Sequence, residues 1–174
     1  MTRVGILYGG RSGEHEVSLH SAASVVHRLD TDRFRAVPIG ITRDGEWFSQ
    51  DSARVAQEAA DDGVLTISAA EADRVSVVPA RGLAVAGENL GVDVVFPVLH
   101  GSFGEDGTVQ GLLEIAGIPY VGAAVLGSSL GMDKELAKHL WQQAGLPTVP
   151  FQTLRREHLV DESDAIDQRR LEKA

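Results

Sequence analysis

Residues 4–22 of this 174-residue chain read VGILYGGRSGEHEVSLHSA. The run Val4–Tyr8 is apolar and ends at a glycine pair, which is typical of a buried strand. Beyond the glycines, apolar residues recur with the spacing of one helix face, at Leu19, Ala22, Ala23, Val26 and Leu29. A strand, a glycine turn and a helix in this order predict the opening of an α/β domain.

Later segments extend this pattern. Arg35–Ile41 and Val92–Leu99 are predicted strands, and a helix is predicted to begin near Thr108. Asp44–Gly45, followed by an aromatic pair, indicates a hairpin turn. We therefore expect an α/β fold whose open parallel or mixed sheet carries helices on both of its faces.

Glycine and proline mark two predicted helix ends, at Gly117 and at Gly145, each with a proline two residues beyond. Asp133 is a predicted N-cap for the helix that lies between them. The acidic segment 50–73 predicts no element, and the charged tail 155–174 is compatible with a surface helix that has nothing following it to pack on.

Composition narrows the function classes. The absence of cysteine excludes disulfides, zinc–thiolate sites and thiol nucleophiles. A net charge of -9 argues against a nucleic-acid partner, because phosphate backbones require clustered lysine and arginine. No run approaches the ~20 apolar residues of a membrane helix, and the N-terminus has no signal-peptide pattern. We expect a cytoplasmic protein that acts on a small molecule or another protein.

The glycine turn does not fit a nucleotide-binding loop. Its glycines lack the G-x-G-x-x-G spacing, and no Gly-Lys-Ser/Thr follows them. Glu14 and Glu16 have two explanations: acids that stabilise the dipole of the helix, or a carboxylate that binds the ammonium group of a ligand. The residue pattern alone favours the dipole explanation.

A second glycine-rich stretch, LHGSFGEDG at 99–107, also follows a predicted strand and precedes a helix. His100 at the strand end is a candidate donor to a carboxyl oxygen, whereas Asp106 suits a turn and a helix cap. In a third stretch, GSSLGMDK at 127–134, Lys134 lies in the first turn of a helix. It is either a solvated surface lysine or the partner of an anionic ligand.

Together these stretches resemble one family, the D-alanine–D-alanine ligases of the ATP-grasp superfamily. The matching segments are GGRSGEHEVSLHSA, LHGSFGEDGTVQGLLEIAGIPYVG and SSLGMDKELAKHLWQQAGLPTVPF, and the likeness covers most of residues 3–153. The resemblance implies a pre-ATP-grasp N-terminal, substrate-binding domain over residues 1–122. Residues 123–174 would begin an ATP-grasp central domain and are expected to be truncated.

The reaction that the family implies joins two D-alanines for peptidoglycan. ATP phosphorylates the carboxylate of the first D-alanine, and the amine of the second attacks the acyl phosphate. By resemblance, Glu14 binds the ammonium group of the first D-alanine, Val17 lines its methyl pocket and Ser18 lies beside it. His100, with Gly101, lies near the carboxylate of that D-alanine. Glu14 and His100 are therefore the expected catalytic residues, and Lys134 is expected to reach the phosphates of ATP.

The resemblance also says what this chain is expected to lack. The family's Mg²⁺ (or Mn²⁺) ligands and most of its ATP-binding residues belong to regions after this chain, so no metal site is expected in it. The 174 residues alone are expected to be inactive. A D-alanine–D-lactate ligase and a non-catalytic binding or dimerisation module remain alternatives, and the family implies a homodimer.

Overall fold

The computed structural model describes residues 1–155 of the chain. Its strands, in chain order, are β1 (Thr2–Gly9), β2 (Phe34–Ile41), β3 (Trp47–Ser49), β4 (Val75–Val78), β5 (Gly82–Val85), β6 (Glu88–Asn89) and β7 (Val94–Pro97). Its α-helices are α1 (His15–Arg28), α2 (Ser52–Asp61), α3 (Thr108–Ala116), α4 (Val125–Met132) and α5 (Lys134–Gln143). The surface helix considered for the tail lies outside the described residues.

The main sheet has the strand order β3-β2-β1-β7. β1 pairs in parallel with both β2 and β7, and β3 adds an antiparallel edge through the predicted hairpin. The mixed α/β sheet is therefore confirmed. The chain moves to one side of β1 to form β2 and to the other side to form β7, so the carboxyl end of β1 lies where strand order reverses, the usual ligand position in such sheets.

Helices cover both faces of this sheet, as predicted. Ile6 and Tyr8 of β1 are buried on the face covered by α1 and α2. Leu7, which points the opposite way, packs with Val109 and Leu113 of α3. This alternation follows from the two-residue period of a strand, and it gives the carboxyl edge of the sheet an α1 side and an α3 side.

The helix signals of the sequence are confirmed. Asp133 caps α5 by accepting a hydrogen bond from the Leu136 N–H at 3.0 Å. Gly117 ends α3 with φ of 73°, and the N–H of Ile118 bonds back to the Leu113 carbonyl at 3.0 Å. These contacts satisfy backbone groups that a helix end would otherwise leave without partners.

The acidic stretch that predicted no element contributes to the core. Asp51 caps α2 through the N–H of Arg54, and Val55 and Ala59 of that helix are buried against α1. Further along, β4, β5 and β6 form a second, antiparallel sheet on the α3 side. The segment is thus structural, and its Glu58 is largely covered and bonds with Arg54 of α2 and with Thr66.

The chain divides into two compact units, Met1–Met132 and a second unit that begins at Asp133 and includes α5. The domain boundary after residue 122 stays a prediction, and part of the second predicted domain lies outside residues 1–155. Across those described residues, no helix has both the length and the apolar character needed to span a membrane.

Candidate functional site

Two loops meet at the carboxyl edge of the sheet, one following β1 and the other following β7. The Ser12 hydroxyl joins them by donating to the His100 carbonyl at 2.7 Å, while it accepts from the Glu14 N–H at 3.1 Å. The first and second glycine-rich stretches are therefore brought together, as their positions after parallel strands predicted.

Ser18 of α1 links the ends of β1 and β7, the two strands that these loops follow. Its side chain is fully buried; the hydroxyl accepts from the Gly9 N–H at 2.8 Å and donates to the Val98 carbonyl. Both partners are backbone groups, so the hydroxyl fixes the distance between the ends of β1 and β7. The expectation that Ser18 lies beside a methyl pocket stays a prediction; the observed contacts assign it to positioning.

Replacing Ser18 with alanine is expected to lower the free energy of unfolding by about 2–3 kcal/mol. The change leaves a buried N–H and a buried carbonyl without their partner, and each such group costs about 1–3 kcal/mol. Urea unfolding of the chain measures the effect. Ser24→Ala on the exposed side of α1 is the matched control, and an equal loss in both variants would contradict the bridging role.

Glu14 lies at the N-cap position of α1, but its carboxylate makes no capping hydrogen bond. Instead it lies over Gly101, where a Cβ would come within 2.5 Å of Glu14 Oε2 and where φ is +68°. Only glycine suits that position. Among residues 1–155 the Glu14 carboxylate has no cationic partner, so it is available to a ligand.

Glu16 differs from its neighbour. It is exposed and forms an ion pair with Arg43 at 2.5 Å, which is ordinary surface chemistry. Val17, in the same turn of α1 as Glu14, is 49% exposed and presents an apolar surface. The two acids that the residue pattern alone could not separate therefore have different surroundings: Glu14 lies over Gly101 of the second loop, whereas Glu16 pairs with Arg43.

The His100 ring makes a hydrogen bond with one side chain and lies near a second. Its Nε2 lies 3.1 Å from the Ser21 hydroxyl of α1, and its Nδ1 lies 4.0 Å from Glu105 Oε1. The other oxygen of Glu105 accepts the Gly101 N–H at 2.8 Å. Ser21 and Glu105 were missed in the sequence, because contacts between separate elements leave no signal in local spacing.

His15 was missed for the same reason. It is buried, and its Nδ1 lies 2.7 Å from the carbonyl of Gly10. The first residue of α1 thereby fixes the glycine turn after β1. The contact is structural and orients the loop that carries Ser12 and Glu14.

Asp106 organises the second loop. It accepts from the N–H groups of Phe103 at 2.8 Å and Thr108 at 3.0 Å, which confirms the predicted turn and cap. Desolvation opposes its ionisation, but the hydrogen bonds from Phe103 and Thr108 outweigh it and lower the pKa of Asp106 below its usual value. The carboxylate form is thus the one that the folded loop prefers.

The stabilisation from Asp106 is expected to disappear in acid. Because the pKa is lower in the folded chain, the contribution is complete above the pKa of the unfolded chain, about 4, and is lost as the pH falls through the folded value. Measured by urea unfolding, the stability difference between wild type and Asp106→Asn should stay constant from pH 7 to about pH 5 and shrink below about pH 4. A difference that persisted at low pH would contradict this assignment.

The third stretch contacts the second loop through α4. The Ser129 hydroxyl donates to the Asp106 carbonyl at 2.8 Å, and a Cβ on Gly107 would lie 2.8 Å from the Val125 carbonyl. Lys134 is the exposed first residue of α5 and belongs to the other compact unit. Its predicted contact with ATP stays a prediction.

A cavity of about 630 Å³ opens beside these loops on the α3 side of the sheet edge. Gly10, Ser12 and His100 border it, whereas Glu14 and Gly101 do not. In the described part of the chain, no group of three or more histidine, aspartate or glutamate side chains could hold a metal ion.

The family model for the D-ala D-ala ligase N-terminus matches residues 3–123, which include both loops. The chain belongs to this family. Its relatives include the D-alanine–D-alanine ligase of Mycobacterium sp. strain KMS, which is 51% identical over 165 residues. That match covers 88% of this chain and 44% of the relative. D-alanine–D-alanine ligase B of Bradyrhizobium diazoefficiens is 47% identical over 170 residues. That match covers 94% of this chain and 44% of the relative.

Solved structures agree with the family assignment. The D-alanine–D-alanine ligase from Coxiella burnetii superimposes with a TM-score of 0.76 at 30% identity, covering 99% of this chain and 50% of that one. The VanG D-Ala:D-Ser ligase from Enterococcus faecalis superimposes with a TM-score of 0.67 at 39% identity. That match covers 83% of this chain and 42% of the VanG chain. The chain thus spans less than half the length of the curated relatives named above.

Proposed function

We propose that this member of the ligase family provides the first D-alanine site of an ATP-dependent D-alanine–D-alanine ligase. The observation that carries the proposal is Glu14, a carboxylate without a cationic partner in residues 1–155 that lies directly over the backbone of Gly101. In this proposal residues 1–122 form the substrate-binding domain and residues 123–174 begin the ATP-grasp central domain.

Each residue of the site has a chemical role in this proposal. The Glu14 carboxylate binds the substrate ammonium group in a charge-assisted hydrogen bond. The N–H of Gly101 is already donated to Glu105, so it is not offered to the substrate. Gly101 contributes instead by lacking a side chain, which leaves room for the substrate to approach. Exposed Val17 offers an apolar contact to the methyl group, and His100 is the donor to a carboxyl oxygen.

ATP would supply the phosphoryl group that activates the first D-alanine. Lys134 alone does not make a nucleotide site, and the described residues offer no carboxylate cluster for Mg²⁺. Lys134 is proposed to reach the ATP phosphates; we assign the rest of the ATP site and the Mg²⁺ ligands to regions outside residues 1–155 and derive no chemical step through them. The 174-residue chain is accordingly proposed to bind D-alanine without consuming ATP.

The second substrate is the open part of the proposal. D-alanine is favoured by the relatives with about 50% identity, which are named D-alanine–D-alanine ligases. D-serine is an alternative because VanG, a D-Ala:D-Ser ligase, is 39% identical. D-lactate is a further alternative, as is a non-catalytic module.

We also propose that the protein is cytoplasmic and forms a homodimer. Sedimentation equilibrium would measure the mass of that dimer.

The experiment that tests the proposal is an NMR titration of the ¹⁵N-labelled chain. D-alanine should shift the amide signals of residues 9–18 and 100–107. D-lactate, which lacks the ammonium group, should shift them far less, because Glu14 then gains no partner. Equal responses to the two compounds, or no response to D-alanine, would contradict the proposal.

A further inference from the structure

The cavity on the α3 side has the size of a small-molecule site. Its volume of about 630 Å³ falls within the range of roughly 300–1,000 Å³ typical of ligand pockets. Apolar side chains from three elements form its walls, among them Trp47, Leu99 and Leu112. It is far larger than an alanine needs, and the residues proposed to hold D-alanine by its ammonium group do not border it.

Arg11 is the one lysine, arginine, aspartate or glutamate among the described residues that line this cavity. Its guanidinium group is positively charged. The stem of Arg11 lies against Gly45, where a Cβ would be 2.7 Å from Arg11 Cδ, and the guanidinium lies 4.7 Å from the centre of the Phe103 ring. The side chain therefore spans from the hairpin turn to the second loop. Contact with a turn and a ring restricts its position more than that of an ordinary surface arginine.

Arg11 has no carboxylate partner within residues 1–155, although the chain carries 25 acidic side chains against 16 basic ones. Arg43, Arg54 and Arg74 form ion pairs, and among the described arginines that form none, Arg11 is the one that borders the cavity. An arginine without such a partner at the border of an apolar cavity is complementary to an anion, above all to a carboxylate that its planar donors can bind.

Phe103 provides a second, independent observation. Its φ is +67°, a left-handed conformation that is rare for an aromatic residue, and its side chain is 44% exposed. The N–H bond to Asp106 holds the backbone in this state. Residues held in such sparsely populated conformations cluster at ligand and active sites, and Phe103 keeps its aromatic ring at the cavity.

We propose that this cavity is a second ligand site, which takes a small organic carboxylate with an aromatic or branched apolar body. The carboxylate pairs with Arg11 beside the Phe103 ring, and the apolar body packs on Leu99 and Leu112. The site lies on the α3 side of the sheet edge, whereas Glu14 lies at the start of α1. His100 borders the cavity and is also proposed to contact D-alanine, so the two sites adjoin.

The test compares 4-phenylbutyrate with its neutral amide, 4-phenylbutyramide, by NMR titration of the 174-residue chain. The indole N–H signal of Trp47 reports on the cavity, and that of Trp141, in the other compact unit, is the internal reference. We expect the carboxylate to shift the Trp47 signal and to bind about tenfold more tightly than the amide, in line with a charge-assisted hydrogen bond. Equal affinities, or an unshifted Trp47 signal, would overturn the proposal.

Two arginine variants sharpen this test. Arg11→Gln should lose the advantage of the carboxylate over the amide, and Arg11→Lys should retain only part of it, because lysine keeps the charge without the planar donors. Arg43→Gln, an exposed arginine outside the cavity, is the matched control and should change neither affinity. Loss of the advantage in Arg43→Gln, or its survival in Arg11→Gln, would refute the role of Arg11.

The outcome is separable from that of the D-alanine site. Glu14→Gln should leave 4-phenylbutyrate binding unchanged, because Glu14 does not border the cavity. Binding of the carboxylate without D-alanine binding would refute only the proposed function, and the reverse result would refute only the second site.

Discussion

Glu14→Gln is expected to weaken D-alanine binding to the chain by about 10- to 100-fold, the size of effect that follows from losing a hydrogen bond to a charged group. Glutamine keeps the length of the side chain and its place over Gly101, but it removes the negative charge that pairs with the ammonium group. NMR titration with D-alanine measures the change. The fold should be unaffected, because the carboxylate makes no capping bond.

Glu16→Gln is the matched control for that experiment. It removes the same charge two residues away on the same helix, so it reproduces any long-range electrostatic effect. Within residues 1–155 its only ion-pair partner is Arg43 on the surface, and exposed pairs of this kind contribute about 0–1 kcal/mol. If the two variants lost affinity equally, the specific role of Glu14 would be refuted.

Gly9→Ala is expected to destabilise the chain by about 3–5 kcal/mol, from backbone strain and overpacking together. Gly9 has φ of +90°, and a Cβ there would lie 2.3 Å from the Ile41 carbonyl oxygen. That oxygen already accepts the N–H of Gly10 at 2.8 Å, so it cannot move away without breaking the end of the β1–β2 pairing. Urea unfolding measures the loss.

Gly13→Ala tests whether that loss is specific. Gly13 belongs to the same turn, but nothing lies within 4 Å of a Cβ at this position. Alanine there should leave stability unchanged or raise it slightly, because it restricts the unfolded chain. A loss of several kcal/mol in both variants would show that the turn as a whole, and not the contact with Ile41, sets the requirement for glycine.

The elements with strong local signals could be predicted from sequence. β1, the glycine turn and α1 follow from an apolar run, a glycine pair and a helical stripe within 25 residues. The Asp133 cap and the Gly117 helix end are equally local, because both depend on contacts within five residues. Such interactions leave their pattern in adjacent positions, and all of them are confirmed.

The second sheet and α2 could not be predicted in the same way. α2 buries only Val55 and Ala59, and β6 is two residues long, so each offers too few large apolar residues to be recognised. Their stability comes from packing against elements that are distant in sequence. Tertiary contacts of this kind leave little trace in the local sequence pattern.

The candidate site shows the same division. The sequence placed both loops at one edge and selected Glu14 and His100, with resemblance supplying their roles. Without the resemblance it could not separate Glu14 from Glu16, because the Gly101 contact and the Arg43 pair that distinguish them are tertiary contacts. Nor could it find Ser21 as the partner of His100 or the buried bridge formed by Ser18, since each depends on residues about 80 positions away.

The bridge from Ser18 to Val98 also bears on the order in which the protein forms during synthesis. β1, α1 and β2 leave the ribosome well before β7. Only β7 completes the pairing of β1, and Val98, the partner of Ser18, directly follows β7. Until then one edge of β1 is open to pairing with other chains, a known route to aggregation. We expect nascent chains that end before Val94 to aggregate and those that reach Met132 to stay dispersed, which sedimentation of ribosome-released fragments would measure. The proposed D-alanine site would thus be among the last features of this unit to mature.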